Sequence, residues 1–186
     1  MEIRPAKVSD VPGVMDIDGT IESVRYLHVD RGGEGVGASW RLADRPLREK
    51  LILPNRLDDE RAFALRQVAG GIDDGFCQVA EHDGQLAAMA LAQPDPPRGT
   101  LRLVDLRVDY DFRRQGLATA LLYAAVNHAR GHACRAVVAE TATNNFPAAA
   151  LLARCGFDLA GIDQKRNSNH DLVKEAVTLF WYASLD

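Results

Sequence analysis

The sequence predicts an α/β domain built on a mixed sheet, and three observations point there. Strand-like apolar runs recur from Glu2–Val8 to Glu175–Ala183. Helix-like runs, Thr119–Arg130 and Phe146–Cys155, stand between the later strands. Turn signals punctuate both kinds, which is the pattern of a sheet covered by helices.

Glu2–Val8 reads as a short strand, and Ser9 or Asp10 can cap a helix running to about Asp18. The stretch Ile21–Asp74 is less regular. Asp30–Gly37 is rich in glycine and reads as a mobile loop. No strand leads into it, and it fits neither a dinucleotide fingerprint nor a P-loop. Pro46–Leu51 and Asp59–Ala69 are expected as helices, with Asp58 and Asp59 at the favourable end of the second dipole. Phe76–Glu81 and Gln85–Gln93 flank His82-Asp83-Gly84 and read as a hairpin. Pro94–Pro97 is a turn, and Thr100–Val108 is the fourth strand of the sheet. The next helix sets Leu117, Leu121, Ala124 and Ala125 on one face and is expected to stop at Gly131. Ala133–Glu140 is the fifth strand, Phe146–Cys155 a helix, and Phe157–Ile162 and Glu175–Ala183 a closing pair of strands.

The most informative stretch is Arg113-Arg114-Gln115-Gly116-Leu117-Ala118, between the fourth strand and a helix. A sharp strand-to-helix turn leaves backbone N–H groups unpaired and adds the positive end of the dipole. Such a turn holds phosphate. Gly116 and Ala118 keep the approach open, and Arg113 and Arg114 can add charge-assisted bonds. Without a ligand, two arginines at a helix start oppose the dipole, so an anion there removes a conflict.

Composition bounds the rest. A chain of 186 residues with 47% apolar residues is expected to form one domain over residues 1–186. A net charge of -4 argues against a dedicated nucleic-acid binder. No apolar run reaches membrane-span length, and the first residues lack a signal-peptide core. Cys77, Cys134 and Cys155 suggest reduced thiols in a cytoplasmic protein rather than a disulfide framework or zinc site. His128 and His132 have the spacing of a metal pair, but no third ligand accompanies them, so no metal is expected.

These motifs resemble the GNAT superfamily of acyl-CoA N-acyltransferases, which carry [Gln/Arg]-x-x-Gly-x-[Gly/Ala] after their fourth strand. A second block is similar too: Thr143–Ala148, then Leu151-Leu152-Ala153-Arg154-Cys155-Gly156-Phe157. Glu140–Asn145, Gly161-Ile162-Asp163 and Phe180-Trp181-Tyr182 are particularly similar to streptothricin acetyltransferases. The motif-level resemblance covers roughly Leu101–Gly161 and is much weaker before Leu101.

The resemblance implies a mostly antiparallel sheet of six to seven strands with splayed fourth and fifth strands. It implies acetyl-CoA as co-substrate and a small amine as acceptor, with a homodimer as an assembly that relatives often form. Leu106, Arg107 and Val108 would offer backbone groups to the pantetheine arm. The backbone of Arg113, Arg114, Gln115, Gly116, Leu117 and Ala118 would hold the pyrophosphate, with the Thr119 hydroxyl. Asn144 and Asn145 would contact the cofactor from the other side, and Asn145 can also cap the following helix.

The implied chemistry is direct attack of an amine on the thioester. At pH 7.4 only about one alkyl amine in a thousand is neutral, so a positioned base is useful. Asp105 is the first candidate base, and its alternative is a surface strand carboxylate. Glu140 is the second; strand alternation aligns it with Ala136 and Val138, where partial burial is expected. Its alternative is an acceptor for loop backbone. The Val108 N–H is the candidate oxyanion donor. Many relatives have a tyrosine acid where this chain has Leu152, which leaves water, Tyr182 or Tyr26 as the proton donor. A non-catalytic acyl-CoA-binding module and an acetyltransferase of protein amines are the competing readings.

Overall fold

The computed structural model describes residues 1–185. The elements are β1 (Glu2–Pro5), α1 (Val11–Met15), β2 (Ile21–Gly32), β3 (Ser39–Leu53), α2 (Asp59–Ala69), β4 (Phe76–His82), β5 (Gln85–Asp95), β6 (Thr100–Val108), α3 (Leu117–Gly131), β7 (Ala136–Ala142), α4 (Phe146–Arg154), β8 (Asp158–Asp163) and β9 (Thr178–Ser184). A seven-stranded mixed sheet has the order β1-β4-β5-β6-β7-β9-β8, and β2 pairs with β3 apart from it. By its contacts the chain groups into two units. The first holds Met1–Thr20, Pro54–Ala139 and the chain from Tyr182; the second holds Ile21–Leu53 and Glu140–Trp181.

In the first unit β1, β4, β5 and β6 form an antiparallel meander. The β4–β5 turn places Asp83 and Gly84 at φ 49° and 81°. Positive φ at both central residues matches the twist of a two-residue hairpin. Strand alternation divides the core between two faces. Val11, Val14 and Ile17 around α1 and Ala62 and Leu65 of α2 cover Cys77, Val79, Met89 and Leu91 on one face. Ala80, Ala88, Ala90 and Ala92 point the other way and are also fully buried. Phe76 there meets His128 of α3 at 5.3 Å between ring centroids. With both faces covered, β5 reads as a continuous apolar run rather than an alternating one.

β6 pairs with β7 in parallel over Thr100–Arg102 and Ala136–Val138 only. Just beyond, Leu91 faces Asp105 while Ala92 faces Leu103, so Val104 is an extra residue on β6. Such a bulge bends its strand. Among the described residues the rest of β6, Leu103–Val108, has no rung on the β7 side.

In the second unit β2 and β3 make a long hairpin, paired from Ile21↔Leu53 to Gly32↔Ser39. Pro46–Leu51, expected as a helix, belongs to β3. The register jumps from Ser23↔Leu51 to Arg25↔Pro46, so Leu47–Lys50 loop out of the ladder opposite Val24. Leu, Arg, Glu and Lys form helices well in isolation, but pairing with β2 overrides that preference. Asp30–Gly37, expected as a loop, contributes Asp30–Gly32 to β2 and a short 3-10 turn at Gly35–Gly37.

Candidate active site

The turn from β6 into α3 is shaped by side chains that fasten its base. Asp109 accepts from the N–H groups of Asp111, at 3.2 Å, and Asp18, at 3.0 Å. Arg113 donates from Nε to the Val108 carbonyl and from Nη2 to the Asp18 carbonyl, both at 3.1 Å. Its guanidinium lies 5.2 Å from the Tyr110 ring centroid. Arg113 therefore braces the loop, and exposed Arg114 extends from it.

Arg114 and Gly116 have φ of 65° and 82°. A Cβ at Gly116 would meet open space, so the backbone conformation, not crowding, is what favours glycine. Among the described residues no acceptor bonds to the backbone N–H groups from Arg114 to Thr119. Those at the start of α3 lack an intrahelical partner by construction. A run of free N–H groups across left-handed residues and a helix start is a concavity for anions. These residues fit the pyrophosphate of acetyl-CoA in donor type.

On β6, Asp109 N–H bonds to the Ala87 carbonyl at 2.8 Å, which sets the phase of the ladder. Val108 and Leu106, opposite Ala88 and Ala90, then direct their backbone groups away from β5. Arg107, opposite Met89, spends its backbone groups on β5. The free N–H groups of β6 therefore belong to Leu106 and Val108, while the Arg107 side chain does something different.

Arg107 is buried with Asp105. Its Nε and Nη2 meet the two carboxylate oxygens at 2.6 and 2.9 Å, and Nη1 donates to the Asn55 carbonyl at 3.1 Å. Arg61 of α2 brings a second guanidinium to Asp105, at 2.5 Å from Nη1. The same group binds Asp58, the N-cap of its own helix. Gly19 closes the cluster, since a Cβ there would lie 2.9 Å from the Asn55 carbonyl oxygen. Asp105 is thus a buried ion-pair partner shared by two arginines.

The other candidates lie in the second unit. Glu140 was expected to be partly buried beside Val138; it is exposed, and Arg166 Nη2 meets its oxygens at 3.1 and 3.3 Å. Arg166 also lies over the Phe180 ring. Asn145 caps α4 through Ala148 N–H, and Asn144 is half-buried before it. Trp181 is buried with its indole N–H on Thr141 at 2.8 Å. Trp40 is exposed and faces Arg31.

Sequence reading missed Arg61 and Asn55, which meet Asp105 and Arg107 across long sequence separations without a local signal. It also missed Thr143, fully buried within the second unit. Its backbone joins Leu27 and Val177, each at 2.9 Å, and its hydroxyl donates to the Glu175 carbonyl at 2.8 Å.

The acetyltransferase (GNAT) family profile matches residues 41–157. The chain belongs to the GNAT acetyltransferase family. Relatives of this GNAT chain include the streptothricin acetyltransferase of Streptomyces lavendulae, 27% identical over 87% of the chain and 84% of that protein. The streptothricin acetyltransferase of Escherichia coli is 35% identical over 40% of the chain. That match spans only 43% of the Escherichia coli protein, and a match to mouse N-acetyltransferase 8F1 only 39% of that one. In fold, this GNAT chain is similar to a nourseothricin acetyltransferase, with TM-score 0.78, 21% identity and 100% and 98% of the two chains covered. It is also similar to a Bacillus anthracis protein solved with acetyl coenzyme A, with TM-score 0.74 and 18% identity over 100% and 98%.

Proposed function

We propose that residues 1–186 form one acyltransferase domain that moves an acetyl group from acetyl-CoA to a primary amine of a small molecule. The amine nitrogen attacks the thioester carbonyl, a C–N bond forms and the C–S bond breaks. The amine proton passes to a base, and the departing thiolate takes up a proton from water. The single observation carrying this reading is the run of N–H groups from Arg114 to Thr119 without acceptors, in a chain of this family. Val108 N–H is the proposed oxyanion donor, with Asn144 and Asn145 as further contacts to the cofactor.

Of the two proposed bases, Glu140 has the more available carboxylate, since it is exposed and meets one arginine. Asp105 would act chiefly by holding Arg107 and Arg61 in place. The streptothricin acetyltransferase relatives suggest a cationic acceptor. Three unpaired cysteines are consistent with a cytoplasmic protein. Among the described residues no helix is long and apolar enough to cross a membrane.

A thermal-shift titration with acetyl-CoA, CoA and longer acyl-CoAs tests the cofactor site. Ligand at about 100 times its dissociation constant adds about 2.7 kcal/mol. Gly116→Asp is the control, because aspartate tolerates the left-handed backbone yet puts a carboxylate among the N–H donors. Stabilisation lost in that variant, followed by thiol release with an amine, is the expected result. No stabilisation by any acyl-CoA would overturn the reading.

A further inference from the structure

Within the second unit Tyr26, His28, Thr143, Leu172, Glu175 and Val177 help to line a cavity of about 70 Å³. Its polar groups are unequally committed. The Thr143 hydroxyl is used by the Glu175 carbonyl and by Val177 N–H. The Tyr26 hydroxyl and His28 Nδ1 satisfy one another at 3.2 Å. The Glu175 carboxylate makes no ion pair among the described residues. It lies within hydrogen-bonding reach of the phenol: burial pushes the Tyr26 pKa up, and the Glu175 carboxylate, as acceptor and as charge, pushes it further. Arg45, paired with Tyr26 across the hairpin, pulls the other way and counts for less.

The backbone gives an independent indication. Ala176 N–H bonds to the Asp171 carbonyl at 3.0 Å, and Glu175 N–H to the Leu172 carbonyl at 3.3 Å. These are the two bonds of a Schellman turn, in which Glu175 takes the left-handed position that glycine normally fills. Its φ is 56°. Glutamate is disfavoured there relative to glycine. A strained residue at the wall of a cavity points to a use for its side chain.

We infer that this cavity holds the ammonium group of an acceptor carrying a second, non-reacting amine, with the Glu175 carboxylate as counter-ion. The inference rests on the proposed acetyltransferase reading for the fate of the other amine. A reacting amine must be neutral, so a carboxylate in the cavity wall suits the amine that is not acetylated. Tyr26 also lines the cavity, and an aromatic ring attracts cations at its face.

The probe is 1,5-diaminopentane, titrated into the full chain and followed by the NMR signals of Tyr26 and His28. Saturable binding is expected, with the dissociation constant raised at least tenfold in Glu175→Gln, which keeps the size of the side chain, and in Glu175→Gly. The melting temperature of Glu175→Gly should equal or exceed that of the parent. In turnover, kcat/KM for the diamine should exceed that for 5-amino-1-pentanol at least tenfold, and Glu175→Gln should abolish the difference. No diamine binding by the parent, or equal binding by Glu175→Gln, would overturn the inference. A lower melting temperature for Glu175→Gly would do so too, by showing that the side chain serves stability. Diamine binding without stabilisation by acetyl-CoA would leave the cavity assignment standing and remove the acetyltransferase reading; the reverse pattern removes only the cavity.

Discussion

Asp105 grips Arg107 with both oxygens from two positions away on the same face of one strand, at 2.6 and 2.9 Å. Both side chains are nearly inaccessible, at 3% and 0% exposure. The pair therefore replaces water with fixed partners, and Arg61 joins it to α2.

Removing the carboxylate charge leaves the buried Arg107 guanidinium uncompensated. Asp105→Asn should lower the unfolding free energy by about 3–5 kcal/mol. Urea unfolding measures this, and an unchanged midpoint would show that the arginines find water instead.

Glu140→Gln should keep the fold and the stabilisation by acetyl-CoA while lowering kcat by about 10²- to 10⁴-fold, the range for a lost general base. Steady-state rates of thiol release provide the test. If Glu140→Gln keeps full turnover, Glu140 is not the base.

Arg4 holds Asp10 through two nitrogens at 2.7 and 3.0 Å and bridges to Glu81. The Arg4 hydrogen bonds hold the Asp10 carboxyl below its ordinary value of 3.8, against opposing desolvation. The folded value lies under the unfolded one, so this stabilisation is full above pH 3.8 and fades as pH falls through the folded value. Arg4→Gln should therefore destabilise at pH 7, and the deficit should shrink in acid. Urea midpoints at neutral pH and near pH 2.5 would expose a constant deficit, which would contradict the linkage.

Burial pushes the Cys77 thiol up to about 12, with Asp10 and Asp105 adding to it. Cys134 and Cys155 are less buried. A thiol reagent at pH 8 should modify those two in the native protein and reach Cys77 only after unfolding. Mass spectrometry of peptides from partly labelled protein would decide it, and early labelling of Cys77 would mean that the α1–α2 face opens.

Local signals carried most of the fold. Asp59–Ala69 and Thr100–Val108 have the expected bounds because a capped helix start and an apolar run between turns are written in adjacent residues. The long hairpin was not legible, since β2 and β3 depend on each other and their charged residues hide any alternation. The same limit applies to the site. The turn at Gly116 could be read because strand, glycine and helix are contiguous. The grip of Arg61 on Asp105 and the junction at Thr143 arise only when distant segments meet.

β9 lies between β7 and β8 although it is made after both. During synthesis β8 has no neighbour in the sheet until Thr178–Ser184 has left the ribosome. An unpaired strand is a template for other chains, so the nascent protein carries an adhesive segment until β9 emerges. Ribosome-bound chains halted before Thr178 should therefore rely on chaperones, and slow decoding over β9 would raise aggregation without altering a single residue.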